Sequence, residues 1–302
     1  MRHTGLLLLS LAAALASCSS DDDGDYKSPQ TDQTEDGDGR MLRQLSISEV
    51  PITRATLTDN TSSLSAAWKA GDKATYFNVS SFTTTTMDDG TLTAASSEST
   101  SAFEGTVRCN TDDKVALFYP AQAIPTTGAN RGKLTLSLSG QKGTLDDIAK
   151  NFHYVYGVAE VTSVTESTAN ATISNMQSLL AVCKFSFKDG TEVIPVKTLT
   201  INYYENSMSY NMGYPLSATL TPTADVSTLA LTYSGQSAWN KDGLTVTLDS
   251  ETSDGVYVAL FPYSPTGYMH FTVTNSSGTY TGTAKATLKA GKYYPVSLKL
   301  TK

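Results

Sequence analysis

The chain has 302 residues and a formal net charge of −7, with 22 Lys and Arg against 29 Asp and Glu. This length is typical of two domains of about 110–140 residues, each large enough to bury its own core. The acidic balance and the lack of a basic patch argue against nucleic-acid binding, because phosphate contacts need clustered Lys and Arg.

The N-terminus, residues 1–17, is predicted to be a lipoprotein signal peptide. It has a basic start at Arg2 and an apolar run over residues 6–15, which is too short to span a bilayer as a mature helix. Its end, LASC at residues 15–18, resembles the lipobox of bacterial lipoproteins. This resemblance implies cleavage before Cys18, acylation of that residue with fatty acids such as palmitate, and an outer-membrane anchor. The alternative is a cysteine that follows a signal peptide by coincidence.

An acidic flexible linker is predicted over residues 18–43, because this segment has too few apolar residues to fold alone. Within it, SSDDDGD at residues 19–25 resembles the surface-export signal of Bacteroidetes lipoproteins. The alternative is a plain solvated linker, and the two interpretations are compatible. TEDGDG in the same linker lacks the spacing and the final bidentate Glu of an EF-hand loop. No calcium site is predicted there, and no cofactor is predicted for the chain.

From Leu45 onward, apolar and polar residues alternate in short runs, which is typical of half-buried strands. Glycine-marked turns separate these runs. The stretch GVYVALFP, residues 255–262, is apolar on both faces and predicts a central strand covered on both sides. Only GTLDDIAKNF, residues 143–152, indicates a helix, with Thr144 as its N-cap. The pattern predicts an all-β fold of two β-sandwich domains.

A domain boundary is predicted near residue 166, in the Thr- and Ser-rich segment TSVTESTAN. Residues 44–165 would then form an N-terminal β-sandwich, and residues 166–302 a C-terminal one. Two similar apolar strands that end at proline, VALFYPAQ and YVALFPYS, suggest that the domains share an architecture. The cysteines that remain after Cys18, Cys109 and Cys183, are predicted to be buried free thiols, although a disulfide is chemically allowed outside the cytoplasm.

The sequence contains no catalytic signature, and the chain is predicted not to be an enzyme. His153 and His270 lie among aromatic residues in strand-like runs, a setting typical of packed histidines. No P-loop, HExxH or nucleophile-elbow motif is present. Trp68 is predicted to be a core residue. Trp239 precedes a turn and is predicted to be partly exposed, where it could stack on a glycan.

The chain contains a series of motifs whose order resembles that of the Bacteroidales fimbrillin family, the subunits of type V pili. After the lipobox they are QLSISEV (44–50), TRA (53–55), WKAGDKATYF (68–77), VALFYPAQ (115–122), GKLTLSLSGQKGTLDDIAKNFHYVYGVAEV (132–161), MQSLLAVCKFSF (176–187) and LKAGKYYPVSLKL (288–300). The resemblance covers nearly the whole chain. It implies transthyretin-like topology in both domains and a lipoprotein precursor exposed on the cell surface, which becomes part of a fimbrium after processing.

The resemblance also implies a maturation step. An Arg-specific, trypsin-like protease would cut after Arg54 and leave Ala55 as the new N-terminus. The first strand would then leave the sheet with its apolar residues Leu45, Ile47 and Val50. A strand of another fimbrillin subunit would fill the groove by β-augmentation, and repetition of this contact would build a filament.

Two other arginines, Arg40 and Arg43, compete for this role. The sequence places both before the strand, where a cut would leave the groove filled. The alternative for Arg54 is an unprocessed loop residue.

Filament-forming shaft subunits of the family carry extra C-terminal strands that act as donors. This sequence ends with LKLTK, directly after the closing strand. We therefore expect a tip or accessory subunit that contributes to adhesion, with a host protein or glycan as a further partner. The alternative is a surface-anchored lipoprotein that binds a glycan or host protein and does not polymerise.

Overall fold

The computed structural model describes residues 38–51, 56–205, 210–262 and 267–302. The predicted signal peptide, Cys18, Arg54 and Ala55 lie outside these ranges. The all-β prediction is confirmed, since strands account for most of the described chain and helices for only a few short turns. Within these residues, no helix is both long and apolar enough to cross a membrane.

The first ten strands precede residue 179. They are β1 (Met41–Pro51), β2 (Thr56–Asp59), β3 (Leu64–Ala67), β4 (Lys73–Asn78), β5 (Asp89–Ala94), β6 (Thr100–Cys109), β7 (Lys114–Tyr119), β8 (Leu134–Ser137), β9 (Val155–Val164) and β10 (Thr168–Ser178). Between β8 and β9, helix α1 (Leu145–Asp147) continues into a π-helical turn, Ile148–Phe152. The predicted N-cap is confirmed, because the Thr144 hydroxyl accepts a hydrogen bond from the Asp147 backbone N–H at 3.2 Å.

The remaining strands follow after residue 180. They are β11 (Ala181–Asp189), β12 (Glu192–Val193), β13 (Val196–Tyr204), β14 (Asn211–Gly213), β15 (Ser217–Leu220), β16 (Leu231–Tyr233), β17 (Leu244–Thr252), β18 (Val256–Leu260), β19 (Tyr268–Asn275), β20 (Gly278–Ala284) and β21 (Tyr293–Lys299). Two 3₁₀ turns, Val226–Thr228 and Gln236–Ala238, lie beside β16.

Seven of the early strands join in a sheet that closes on itself, in the order β1-β10-β9-β7-β4-β5-β6. We call it the closed sheet. The predicted boundary near residue 166 falls in the turn between β9 and β10, which pair with each other, so this sheet continues to Ser178. The start of the sheet also differs from the prediction. Backbone pairing of Met41 with Cys109 extends β1 into residues 41–43, which the composition had placed in the linker.

Later strands form two sheets around a second core. In one, β11 lies between β18 and the parallel strand β21. In the other, β13 lies between β17 and β19, and β20 extends the edge. The first strand of each half is thus parallel to the last strand of that half, because β1 pairs with β10 in the same sense.

The two halves are in continuous contact through strands buried on both faces. Along β7, Val115 and Leu117 face the core inside the closed sheet, which we call the first core. Ala116 and Phe118, on the opposite face, pack against the second core. Because both faces are covered, β7 is a run of apolar residues without polar alternation.

Residues 134–152 contribute to the second core although they precede β9 in the chain. Strand β8 pairs with β15, and its Leu134 and Leu136 are fully buried there together with Phe152 from the π-helical turn. The prediction had assigned this segment to the N-terminal sandwich. Its placement depends on a pairing between distant parts of the chain, which local periodicity does not report.

The predicted central strand 255–262 is observed as β18, but it lies at the edge of its sheet: β11 is its one strand neighbour among the described residues, and a side chain meets its other edge. The buried amide of Gln141 accepts from the Ala259 N–H at 2.7 Å and donates to the Ala259 carbonyl at 3.0 Å. Beside it, the Tyr257 N–H donates to the Gly143 carbonyl at 3.0 Å. A side-chain amide carries the same donor and acceptor as a peptide bond, so Gln141 satisfies an edge that would otherwise be buried unpaired.

Both predicted free thiols are confirmed, since Cys109 and Cys183 are buried and unbonded to each other. Burial raises the pKa of Cys109 to about 11 and that of Cys183 to about 12. Neither thiol is a nucleophile at neutral pH, because the thiolate is the reactive form.

Substitution of Gln141 by Ala should destabilise the protein by about 2 kcal/mol, because it leaves the buried N–H and carbonyl of Ala259 without partners. Chemical denaturation of the full chain measures this difference. The exposed Gln177 provides a matched control, and its replacement by Ala should change the free energy of unfolding by less than about 0.5 kcal/mol. Equal stability of the two variants would contradict this role of Gln141.

Candidate site of strand release

Strand β1 closes the closed sheet by pairing on both of its edges. It is antiparallel to β6, from Met41 opposite Cys109 to Pro51 opposite Thr100. On the other edge it is parallel to β10, over residues 44–48. The first strand of the described chain is therefore an interior strand of the sheet, and its removal would leave two unpaired edges facing each other.

The apolar side chains of β1 are anchored in the first core. Leu45, Ile47 and Val50 are fully buried, in one cluster with Leu92 and Phe103. Full burial of such a side chain contributes about 1.5–3 kcal/mol. Residues 45, 47 and 50, which the sequence predicted as the apolar face of this strand, therefore fill a groove between β6 and β10.

A β-bulge explains why Val50 shares a face with Ile47 despite the break in alternation. The register with β6 shifts between these two residues, and Glu49 adopts a left-handed backbone with φ of 51°. The extra residue returns Val50 to the inner face. The sequence analysis named Val50 among the apolar residues of this strand, and the bulge is what brings it onto the same face as Ile47.

The C-terminal end of β1 is held by a tryptophan. The Trp68 indole Nε1 donates to the Val50 carbonyl at 3.1 Å in a buried setting. Its ring packs edge-on against Phe103 and Tyr119, with centroid distances of 4.9 and 5.3 Å. The prediction of a core Trp68 is confirmed, and the hydrogen bond connects that residue directly to the strand predicted to leave.

The N-terminal end of β1 is held by two arginines that the sequence had offered as alternative cut sites. Arg43 lies within β1, not before it as predicted, and its buried guanidinium donates to the Thr165 carbonyl at 2.6 Å and to the Cys109 carbonyl. Arg40 makes a bidentate pair with Asp113, with both N···O distances at 2.7 Å. Both arginines are thus engaged within the fold.

Asp113 accepts several of the hydrogen bonds at the N-terminal end of β1. Besides Arg40, it accepts from the Asn110 backbone N–H at 2.9 Å and from the Asn78 amide at 3.0 Å. Burial favours the neutral acid, but these hydrogen bonds outweigh it and hold the pKa of Asp113 below its usual value. The carboxylate is therefore ionised at neutral pH and pairs with Arg40 as a full charge.

Other predicted site residues lie away from β1. The prediction that Trp239 is partly exposed is wrong: the side chain is 5% exposed, packs against Tyr203 and donates to the Ser234 carbonyl at 2.9 Å. It is covered because the 3₁₀ turn before it folds over the second core, so its ring offers no open face for a glycan. Among the described residues, no cluster of His, Cys, Asp and Glu has the geometry of a metal site.

The histidines are packed, as predicted. His153 is 3% exposed, with its Nε2 at 2.8 Å from the Ser178 hydroxyl. His270 is half-buried beside the Tyr204 ring, at a centroid distance of 4.9 Å, and burial lowers its pKa. The sequence did not anticipate that Asp113, Thr165 and Trp68 bind residues in or beside β1, because no local signal links residues so far apart.

Trp68→Phe should loosen β1, because it removes the hydrogen bond to Val50 while keeping an aromatic ring in the core. Amide hydrogen exchange over residues 41–51 should accelerate by about fivefold, the equivalent of about 1 kcal/mol. Trp239→Phe is the matched control, since it removes an indole hydrogen bond in the second half and should leave exchange in β1 unchanged. Equal exchange in β1 for both variants would contradict the role of Trp68.

No family model matches the chain, and no curated protein matches its sequence. Solved structures with this fold include a candidate cell adhesion protein from Bacteroides uniformis ATCC 8492, at 15% identity and a TM-score of 0.52, with 88% of this chain and 94% of that one covered. Another, from Bacteroides ovatus ATCC 8483, has 15% identity and a TM-score of 0.52, with 87% and 95% covered. The tip fimbrial protein Mfa3 from Porphyromonas gingivalis matches at 10% identity and a TM-score of 0.43, with 86% and 96% covered. The predicted resemblance is therefore confirmed at the level of the fold, which this chain shares with candidate cell adhesion proteins of Bacteroides.

Proposed function

We propose that the chain is a fimbrillin subunit of cell-surface pili, made as a lipoprotein precursor and activated when a cut after Arg54 frees β1. The likeness of fold to Bacteroides candidate cell adhesion proteins supports a role in adhesion. The order of motifs from the lipobox to the closing strand supports the fimbrillin family. The position of β1 supports the mechanism.

One observation carries this proposal: β1 is interior in the sheet but first in the described chain. An interior strand in the middle of a chain has connections at both ends, and its removal needs two cuts. Here a single cut in residues 52–55, which follow β1 directly, separates the strand from every later element. The sheet would therefore lose a central strand without the loss of any other described strand.

Release of β1 creates the site that a neighbouring subunit fills. The facing edges of β6 and β10 would present unpaired backbone groups, above a groove that had held Leu45, Ile47 and Val50. Exposed edges of this kind pair readily with an extended strand. A donor strand with apolar residues at matching positions restores both the hydrogen bonds and the burial. Because donor and acceptor surfaces differ, the contact continues from subunit to subunit.

The engagement of the other two arginines supports Arg54 as the cut site. A trypsin-like protease must draw the arginine side chain into its specificity pocket. Arg43 is buried inside β1, and Arg40 is held by Asp113. A cut at either residue would also leave the rest of β1 attached to the chain, with the groove still filled.

The precursor is anchored through Cys18 in this proposal, and the Arg-specific protease removes the anchor together with β1. In this proposal the chain takes a tip or accessory position, where its groove receives a strand of a neighbouring subunit and the chain also contacts a host protein or glycan.

Limited trypsin digestion of the full chain should give a product that begins at Ala55. Arg54→Ala should abolish this product. Arg54→Lys is the matched control, because trypsin still cuts it whereas an Arg-specific protease does not. N-terminal sequencing and intact mass identify the products. An unchanged product from Arg54→Ala, or no cut within residues 52–55 of the wild type, would contradict the processing step.

Opening of the groove is measured with a labelled peptide of residues 41–51. After the cut and removal of the released fragment, the protein should bind this peptide, whereas the uncut chain should not. A peptide with Leu45 and Ile47 replaced by Asp is the control, because charges cannot enter the first core. Equal binding of both peptides, or none by the cut chain, would contradict strand exchange.

Cys18→Ser should abolish membrane anchoring, since the thiol is the proposed acylation site. In cells, the wild-type precursor should fractionate with the outer membrane and carry the added mass of its acyl chains. Cys109→Ser provides the control, because that thiol is buried and should have no effect on fractionation. Membrane association of the Cys18 variant equal to that of the wild type would contradict lipidation.

A further inference from the structure

The two sides of the proposed cut belong to different hydrophobic cores. Before it, Val50 is buried in the first core. After it, Leu57 is buried in the second core, and Leu64 packs against the same cluster. The chain then returns to the first core at Trp68. Residues 56–67 are therefore a β-hairpin, β2–β3, that lies on the second half of the molecule while its flanks lie on the first.

Asp59, at the end of β2, connects this hairpin to the sheet of β11 and β18. Its carboxylate accepts from the Tyr257 hydroxyl at 2.6 Å and from the Lys184 ammonium at 3.0 Å. Its other oxygen accepts from the Thr61 backbone N–H at 2.8 Å, which fixes the turn of the hairpin. Asp59 and Lys184 keep only 15% and 29% of their side chains exposed, so water weakens this pair less than it weakens an open surface pair.

The partners of Asp59 are positioned by their own sheet. Lys184 and Tyr257 face each other in the register of β11 and β18, so their side chains lie on the same face of the sheet. The Lys184 ammonium also lies 5.1 Å from the centre of the Tyr257 ring. The hydrogen bond from Tyr257, with those from Lys184 and Thr61, outweighs burial and holds the pKa of Asp59 well below its usual value.

We propose that Asp59 is a latch that keeps the new N-terminal segment on the second half of the molecule after the cut. After the cut, residues 55–67 would begin at a new free end, and the chain would no longer be held on that side by β1. The hairpin pairs with itself and with no other named strand among the described residues, so the carboxylate contacts and Leu57 hold it in place. The latch thus prevents the new N-terminus from fraying or entering the groove. This inference rests on the proposed cut after Arg54, whereas the Asp59 contacts exist in the uncut chain.

The first test uses the uncut chain and does not depend on processing. Asp59→Asn keeps the size of the side chain but removes the charge that Lys184 and Tyr257 bind. Amide hydrogen exchange in residues 56–67 should accelerate about tenfold, as expected for loss of charge-assisted hydrogen bonds. Asp146→Asn is the matched control, because it breaks an exposed ion pair with Lys150 and should leave the hairpin unchanged. Equal exchange in the two variants would overturn the latch.

The second test uses the cut chain. No Lys or Arg lies between Arg54 and Lys69, so a second tryptic cut at the exposed Lys69 would release residues 55–69 as one peptide. The wild type should retain this segment, whereas Asp59→Asn and Lys184→Met should lose it about tenfold faster. Mass spectrometry follows the peptide, and Lys150→Met is the control. Equal loss from wild type and variants would overturn the latch.

The two tests separate failure of the latch from failure of the proposed function. If no cut occurs at Arg54 but Asp59→Asn accelerates exchange in the hairpin, the contact holds the segment and the processing step is wrong. If the cut occurs and the hairpin stays equally protected in all variants, the processing step stands and the latch is wrong.

Discussion

The structure depends on the pairing of one strand with two others. β1 bonds β6 on one edge and β10 on the other, and this double pairing closes the first sheet around its core. The arrangement joins the first strand of the described chain to one strand that follows it by about fifty to seventy residues and to another that follows it by more than a hundred. Such pairings carry a large loop-closure cost, which the burial of Leu45, Ile47 and Val50 offsets. In the proposed maturation, the position of β1 as the first strand of the described chain allows a single cut to separate it from every later strand.

The contacts at the two ends of β1 differ in chemistry. At the N-terminal end, charged groups predominate: Arg43 binds backbone carbonyls and Arg40 binds the ionised Asp113. At the C-terminal end, the single indole of Trp68 holds the Val50 carbonyl. A cut beyond residue 51 lies next to the weaker end. Release is therefore expected to begin near Val50 and proceed towards Met41, since a free strand end frays from the end with fewer contacts.

The two halves of the molecule are connected at more places than the order of the chain implies. β7 is buried on both faces and contributes to both cores, residues 134–152 supply apolar side chains to the second core, and the β2–β3 hairpin crosses to it. The Asp59 contacts are one of these connections between the two halves. Under the proposed release of β1, the remaining strands of the closed sheet would keep their packing against the second core, to which no described residue of β1 belongs.

The sequence by itself determined the strand content, the direction of Leu45 and Ile47, the burial of Trp68, the helix cap at Thr144 and the free state of Cys109 and Cys183. These features follow from alternation, turn residues and composition, which act over a few residues. Only the tertiary structure decided that Arg43 is part of β1, that a bulge turns Val50 inward, that Trp239 is covered, and that Asp59, Asp113 and Gln141 hold distant segments. Each of these depends on a partner far away in the chain, and local sequence carries no record of which distant groups the fold will bring together.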